Sequence, residues 1–470
     1  MNKKHLTLLV ALALGTSLDA TASGYRFGSQ SVSAQGTADA NGAEAADAST
    51  IFTNPAGLSR LDGRQFMGGI TAVVPHSTFQ DGGSTRFTGT STGGKTSQDS
   101  YAPSVVAGPS LYYSQKIDGQ WTAGLGVFVP YGTKLDYDQN WSGRYSLNNI
   151  KLEAVNINPS VAFKLSEQHS FGFGIDIEYM KARLGQSVDV PGSIAAAKAA
   201  GAGAALVGQI MALGGNPAAL ATAGDAHAGV DGKDWGYGFN LGYLYSPDAN
   251  TRFGIAYRSS IKHELKGGAV WDFSTVTSDA VVNKVLQGAS HHANSASRVD
   301  VSTPETLSIN AFHQFDPKWA GMADVTWTRH SRLQDINIQF VGAGVGDLVI
   351  RQQWKNTVRV ALGANYQLND ATVLRAGIAH DESPVQGDTL RHAALPDADR
   401  LQLSFGANWK LTPASSLDLA YSWLHFSDAS GNYTNNCNPL MTTCTGNGET
   451  TRGTWKTRMQ LIGLAYNYKF

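Results

Sequence analysis

The last fourteen residues, TRMQLIGLAYNYKF, alternate along the chain. Ile462, Leu464, Tyr466, Tyr468 and Phe470 share one parity, while Gly463, Ala465, Asn467 and Lys469 share the other. A period of two predicts a strand. The same design recurs where Trp235, Tyr237, Phe239, Leu241, Tyr243 and Tyr245 interleave with Gly236, Gly238, Asn240 and Gly242. It returns where Leu401, Leu403, Phe405, Ala407 and Trp409 interleave with Gln402, Ser404, Gly406 and Asn408. A soluble sandwich would carry Lys and Glu on its polar face. Here that face is Gly, Ser, Asn and Ala, so the apolar face is expected to meet lipid and the small face to line a lumen.

Fourteen such segments begin near Phe66, Val105, Trp121, Ile150, Ser170, Trp235, Thr251, Pro304, Lys318, Trp354, Ala371, Arg400, Ser415 and Trp455. The even number suits an antiparallel transmembrane β-barrel, an all-β fold. Short connections at 246–250 and 367–370 read as periplasmic turns. Long ones at 77–104, 132–149, 185–234, 265–303, 332–352, 383–399 and 427–454 read as extracellular loops. The third, IAAAKAAGAGAALVGQIMALGGNPAALATA, suits two short helices joined near Gly214 to Pro217, either an apolar lid for a greasy ligand or packing on the rim.

Composition supports a membrane setting. Only 16% of residues are charged, against about 25% in soluble domains. A net charge of -1 offers no basic field for nucleic acid. At the N-terminus Lys3, Lys4 and His5 precede LTLLVALALGTSL, and Ala20-Thr21-Ala22 offers a small-residue cleavage site, so residues 1–22 read as a secretory signal peptide. No later uncharged apolar run reaches the roughly 18 residues that a membrane helix needs. Residues 23–65 do not alternate and are too few to fold alone; they are expected to plug the lumen of the barrel formed by 66–470.

Three features bear on chemistry. Cys437 and Cys444 lie in one polar loop, and in an oxidising compartment a local disulfide is the natural reading; a metal pair would need neighbouring His or Cys partners, and none are close in sequence. Gly89 to Thr96 satisfy the P-loop pattern GxxxxGK[ST], but no buried strand precedes them and Pro103 follows before a helix could form. A Gly/Ser/Thr loop is therefore expected, with no nucleotide and no cofactor. His263, His313, His330, His380, His392 and His425 are scattered without a nucleophile or acid at a motif spacing. A barrel lipase or protease stays open as a rival, since triad partners need not be sequential, and an adhesive barrel would not need a plug.

GYRFGSQSVS, AEAADASTIFTNPAGLSRL, HDESPV and LPDADRLQLSFGANW together resemble the FadL-type outer-membrane long-chain fatty acid transporters, whose relatives import aromatic hydrocarbons. The resemblance implies a fourteen-stranded barrel closed by an N-terminal hatch, sited in the bacterial outer membrane and passively taking up hydrophobic molecules. It also implies an outer apolar groove, a lumenal pocket beside the hatch's N-terminus and sideways release at a kink in the third strand. Tyr25 matches the aromatic near the mature N-terminus, and Asn54, Pro55 and Ala56 match the hatch motif. Phe128, Pro130 and Gly132 fall where the third strand should bend, although Pro130 could equally end it.

A carboxylate cargo needs a cation. By parity with Gly363 and Asn365, an unbroken strand would point Arg351, Lys355 and Arg359 inward. Lys181 and Arg183 lie where the family carries basic residues, but on lipid-facing parity, so they must emerge above the membrane or follow a bulge. Arg183, Arg351 and Lys355 are the carboxylate candidates together with the Tyr25 pocket. Arg391 and Arg400 are expected to tie a loop to the barrel mouth. A fatty acid and an aromatic hydrocarbon both remain possible cargoes.

Overall fold

The computed structural model describes residues 25–470; the expected signal peptide lies outside them. Fourteen strands run antiparallel around a closed barrel. They are β1 (Arg64–Asp81), β2 (Val106–Lys116), β3 (Trp121–Asp136), β4 (Asn149–Lys164), β5 (His169–Val188) and β6 (Ala226–Tyr245). Next come β7 (Thr251–Arg258, continuing at Lys262–Asp272), β8 (Ser295–Ser302 and Thr306–Gln314), β9 (Trp319–Thr328 and Asp335–Val341) and β10 (Leu348–Arg351 and Thr357–Asn369). Then follow β11 (Thr372–Asp381), β12 (Arg400–Thr412), β13 (Ser415–Phe426 and Ala429–Thr434) and β14 (Thr450–Lys469). β14 closes on β1 from Gln65↔Lys469 to Asp81↔Gly453, so no edge is left there.

The barrel is inside out relative to a soluble protein. Phe171, Phe173 and Ile175 are exposed on the outside of β5, whereas Gly172 and Gly174 between them, and Ser170 and Asp176 on either side, are buried in the lumen. Ile462 and Leu464 face out and Ala465 faces in. Strand starts near Phe66, Val105, Trp121, Ile150, Ser170, Thr251, Lys318, Ala371, Arg400 and Ser415 fall within a residue or two of the observed ones. Four strands reach several residues further out than expected: β6, β8, β10 and β14 begin at Ala226, Ser295, Leu348 and Thr450. Beyond the lipid the outward face turns polar, so hydropathy no longer marks a strand that the hydrogen-bond ladder continues.

Residues 25–63 fill the lumen in short turns, with helices over Val32–Gly36 and Thr50–Thr53 and a 3-10 turn over Pro55–Arg60. Outside, α-helices Val190–Ala199 and Gly203–Ala212 cap the third long loop, and Ala280–Ala289 caps the fourth. The two alanine-rich helices join at Gly201, whose φ of 81° suits glycine, and not near Gly214 to Pro217, which instead leads into the 3-10 turn Pro217–Thr222.

Candidate functional site

The small lumenal face serves as a bed for the plug. Asn54 caps the Pro55–Arg60 turn, its side chain accepting the Ala56 N–H at 3.1 Å and donating to the Tyr243 carbonyl at 3.1 Å. That turn sits on Gly172 of β5, Gly242 of β6 and Gly254 of β7. A Cβ at Gly172 would fall 2.2 Å from the Ala56 nitrogen, and one at Gly242 would fall 2.2 Å from the Asn54 side-chain oxygen. Across the barrel, Gly363, Gly377 and Gly406 admit Gly36, Thr37 and Ala38 in the same way. Arg359 then donates to the Ala38 carbonyl at 2.9 Å and pairs with Asp39 at 3.5 Å.

Pro130 does not end β3, which runs on to Asp136. Phe128 pairs with Asn156 and Tyr131 with Ala154, so Val129 and Pro130 together oppose Val155 alone, which is a bulge. On its other side β3 pairs with β2 only from Thr122 to Val127, and the outer half of β2, Val106–Ser110, bonds to β1 alone. The plug's first residues take the vacated place. Phe27 N–H donates to the Pro130 carbonyl at 2.8 Å, Gly132 N–H donates to the Tyr25 carbonyl at 2.9 Å, and Gln30 accepts from Val129 N–H at 3.0 Å. The Phe27 ring lies so close to Gly108 of β2 that a Cβ there would be 2.8 Å away.

Above this seam is an apolar cleft, lined among others by Tyr25, Ile150, Leu184, Leu265, Val299 and Ile338. Its lining is almost wholly apolar, which suits the hydrophobic part of a ligand. Tyr25 is buried as its wall, 5.5 Å from the Tyr131 ring and 5.9 Å from Trp354. Below the seam a polar chamber is lined by Arg26, Arg258 and Arg359 with Asp39 and Asp324. Arg258 pairs with Asp176 and lies over the rings of Phe52 and Phe128, at 5.3 and 5.4 Å. Arg359 is taken up by the plug.

Among the described residues Arg26 makes no ion pair and its side chain makes no hydrogen bond, although it lines the chamber. Sequence reasoning passed over it. The signal available was a cation beside the flagged Tyr25 with no acidic neighbour nearby in GYRFGSQ.

The other candidates are placed differently. Arg351 and Lys355 are exposed, because β10 is interrupted between Arg351 and Thr357; parity cannot be counted through a break, and only Arg359 of that trio enters the lumen. Lys181 and Arg183 stay on the outward parity of β5 without a bulge, above the membrane, and Arg183 borders the cleft from there. Arg400 pairs with Asp381, and Arg391 donates to the Asp397 carbonyl at 3.1 Å.

Cys437 and Cys444 are bonded, with Cα atoms 5.9 Å apart. Lys95 pairs with Asp138 of the next loop, and the segment following it is the two-residue strand Ser97–Gln98 rather than a helix. His392 is buried in the sixth loop, where its Nδ1 accepts from Ala394 N–H at 3.1 Å and its Nε2 therefore donates to Ser146 Oγ at 2.8 Å. Burial holds this imidazole down at about 3.

Residues 13–470 match the family model described as outer membrane protein transport protein (OMPP1/FadL/TodX). The chain is 35% identical over 477 residues to outer membrane protein NMB0088 of Neisseria meningitidis serogroup B, covering 98% of each. It is 28% identical over 435 residues to the long-chain fatty acid transport protein of Escherichia coli O157:H7, covering 90% of this chain and 93% of the relative. The crystal structure of a Pseudomonas aeruginosa FadL homologue superposes with a TM-score of 0.80 at 23% identity, over 95% of this chain and all of that one. These relatives are transporters and membrane proteins, not enzymes.

Proposed function

The chain belongs to the outer membrane transport family of FadL and TodX, and from that premise we propose that its hydrophobic cargo is a long-chain fatty acid released sideways past β3. The observation that carries the reading is Arg26. It follows directly on the Tyr25 wall of the apolar cleft and makes no direct ion pair among the described residues, the carboxylates of Asp39 and Asp324 lining the same chamber without touching it. A cation held away from water is costly unless an anion meets it.

In this reading the alkyl chain occupies the cleft, where each methylene contributes roughly 0.8 kcal/mol gross, and the carboxylate reaches toward Arg26. Arg183, beside the cleft but exposed, meets the acid at the entrance; Arg351 and Lys355 lie off the path. For release, Tyr25 to Phe27 must leave β3, which opens a passage bordered by Phe128, Pro130 and Gly132 between β2 and β3.

The test is paired uptake of labelled oleate and toluene by cells with and without the gene, combined with oleate binding to the purified protein. Arg26→Leu should weaken oleate binding about tenfold or more, as expected for a lost charge-assisted bond, and Arg26→Lys should restore part of it. Toluene uptake that depends on the protein while oleate uptake does not would assign a neutral hydrocarbon cargo instead. Cross-linking Phe27→Cys to Gly108→Cys with a short bis-maleimide should stop uptake while leaving binding intact; uptake that persists would rule out the lateral route.

A further inference from the structure

One row of the outer surface is built against electrostatics. Lys181 of β5 lies directly opposite Lys233 of β6, Lys233 opposite Lys266 of β7, and Lys266 opposite Arg298 of β8. All four side chains lie on the outward parity of their strands, and the three lysines are exposed. Side chains directly opposite in an antiparallel pair have Cβ atoms about 5 Å apart, and like charges there are destabilising. With strands about 4.8 Å apart, the row runs roughly 14 Å around the barrel.

Local acids cover only one end of it. Glu264 pairs with Lys266 at 3.2 Å and with Arg298 at 2.9 Å, and Asp300 pairs with Arg298 at 3.2 Å. At the other end Glu153 faces Lys181 but pairs with Lys151 at 2.8 Å. Arg183 faces Asp231 in the row above. Lys181 and Lys233 are left opposite each other with no ion pair among the described residues.

The height of the row identifies what it meets. Two residues nearer the membrane, Tyr179 and Trp235 pack at 5.1 Å as a piece of the aromatic girdle, and below them Tyr237, Phe239, Ile175 and Phe173 form an exposed apolar band. Two residues of strand are about 7 Å, so the row stands at the level of lipid headgroups on the side of the long loops. We propose that the Lys181–Lys233–Lys266–Arg298 row is a binding site for the phosphate groups of an outer-leaflet glycolipid, whose acyl chains lie along the apolar band beneath. An anion seated between Lys181 and Lys233 removes the repulsion that the empty row carries, and the row's length accommodates more than one phosphate.

The test uses the purified full chain in neutral detergent. Bis-phosphorylated lipid A, its dephosphorylated form and phosphatidylglycerol are titrated and read by native mass spectrometry. Bis-phosphorylated lipid A should form a one-to-one complex that weakens as salt is raised. The K181Q/K233Q double variant should bind it at least tenfold more weakly, and the dephosphorylated form should fail to compete. In lipid-free detergent the double variant should melt at the same temperature as the parent or higher, because it loses a like-charge contact. Equal binding by the double variant, equal binding of the dephosphorylated form, or a clearly lower melting temperature of the lipid-free variant would each overturn the assignment. Phosphatidylglycerol binding as tight as lipid A would replace the glycolipid with a general anionic lipid and overturn it too.

Discussion

Gly172→Ala adds one methyl group to the lumenal face of β5. That methyl would lie 2.2 Å from the Ala56 nitrogen and 2.3 Å from the Pro55 carbonyl carbon. Both are backbone atoms, which cannot rotate aside. To reach an ordinary contact of 3.4 Å the Asn54–Pro55–Ala56 turn must retreat by about 1.2 Å, the difference between 3.4 and 2.2 Å. Such a retreat strains the Asn54 bonds to Tyr243 and Ala56, both 3.1 Å. Overpacking of this kind costs about 1–3 kcal/mol, which multiplies the population with an unseated plug by about 5 to 150. The control is Gly229→Ala on β6, where an added Cβ meets nothing within 4 Å. Planar-bilayer conductance and the sensitivity of cells to a bulky polar antibiotic would read the leak. Gly172→Ala should raise both and Gly229→Ala neither. If Gly172→Ala stays as tight as the parent with its barrel intact, the claim that the small lumenal face exists to seat the plug is wrong.

Three further outcomes are expected. His392 holds a folded pKa of about 3 against an unfolded value of 6.5, so its contribution to loop stability is fully present above pH 6.5 and is lost as pH falls toward 3. Between pH 8 and pH 5 the loss is about 2 kcal/mol at up to 1.36 kcal/mol per unit; hydrogen exchange over 382–399, corrected for intrinsic rates, should quicken accordingly, and His392→Gln should flatten the dependence. Replacing both Cys437 and Cys444 with Ser should cost the last loop about 2.5 kcal/mol of closure entropy, seen as faster proteolysis within 434–449 with no change in barrel melting. Lys95→Ala removes only an exposed pair with Asp138, worth about 0–1 kcal/mol, and should leave oleate uptake unchanged.

The strands were legible because lipid outside and a tightly filled lumen inside impose opposite demands on alternate residues. Ile462 against Gly463 is that contrast in two letters. The glycines of the lumenal face were visible as small residues, but not as a bed, since the residues they admit lie far away in sequence: Gly377 accommodates Thr37 and Gly242 accommodates Asn54. Cation placement failed where it relied on counting parity through 352–356, because an interrupted ladder resets which face a residue occupies. Parity left Lys181 and Arg183 either above the membrane or beyond a bulge, and the unbroken β5 over Tyr179–Arg183 removes the second option. Arg26 was missed because neither periodicity nor a motif marks a cation in a segment without regular structure.

Gln35 of the plug donates to the Leu461 carbonyl of β14 at 3.1 Å, across a sequence separation of 426 residues. Contacts of that span form late, since the intervening chain must first be brought to order. The plug's seat includes β14 as well as β3, so the plug is fully seated only once β14 is in place. Until then the outer edge of β3 is uncovered, and any factor that escorts the chain into the membrane must shield that edge until Tyr25 and Phe27 pair with it.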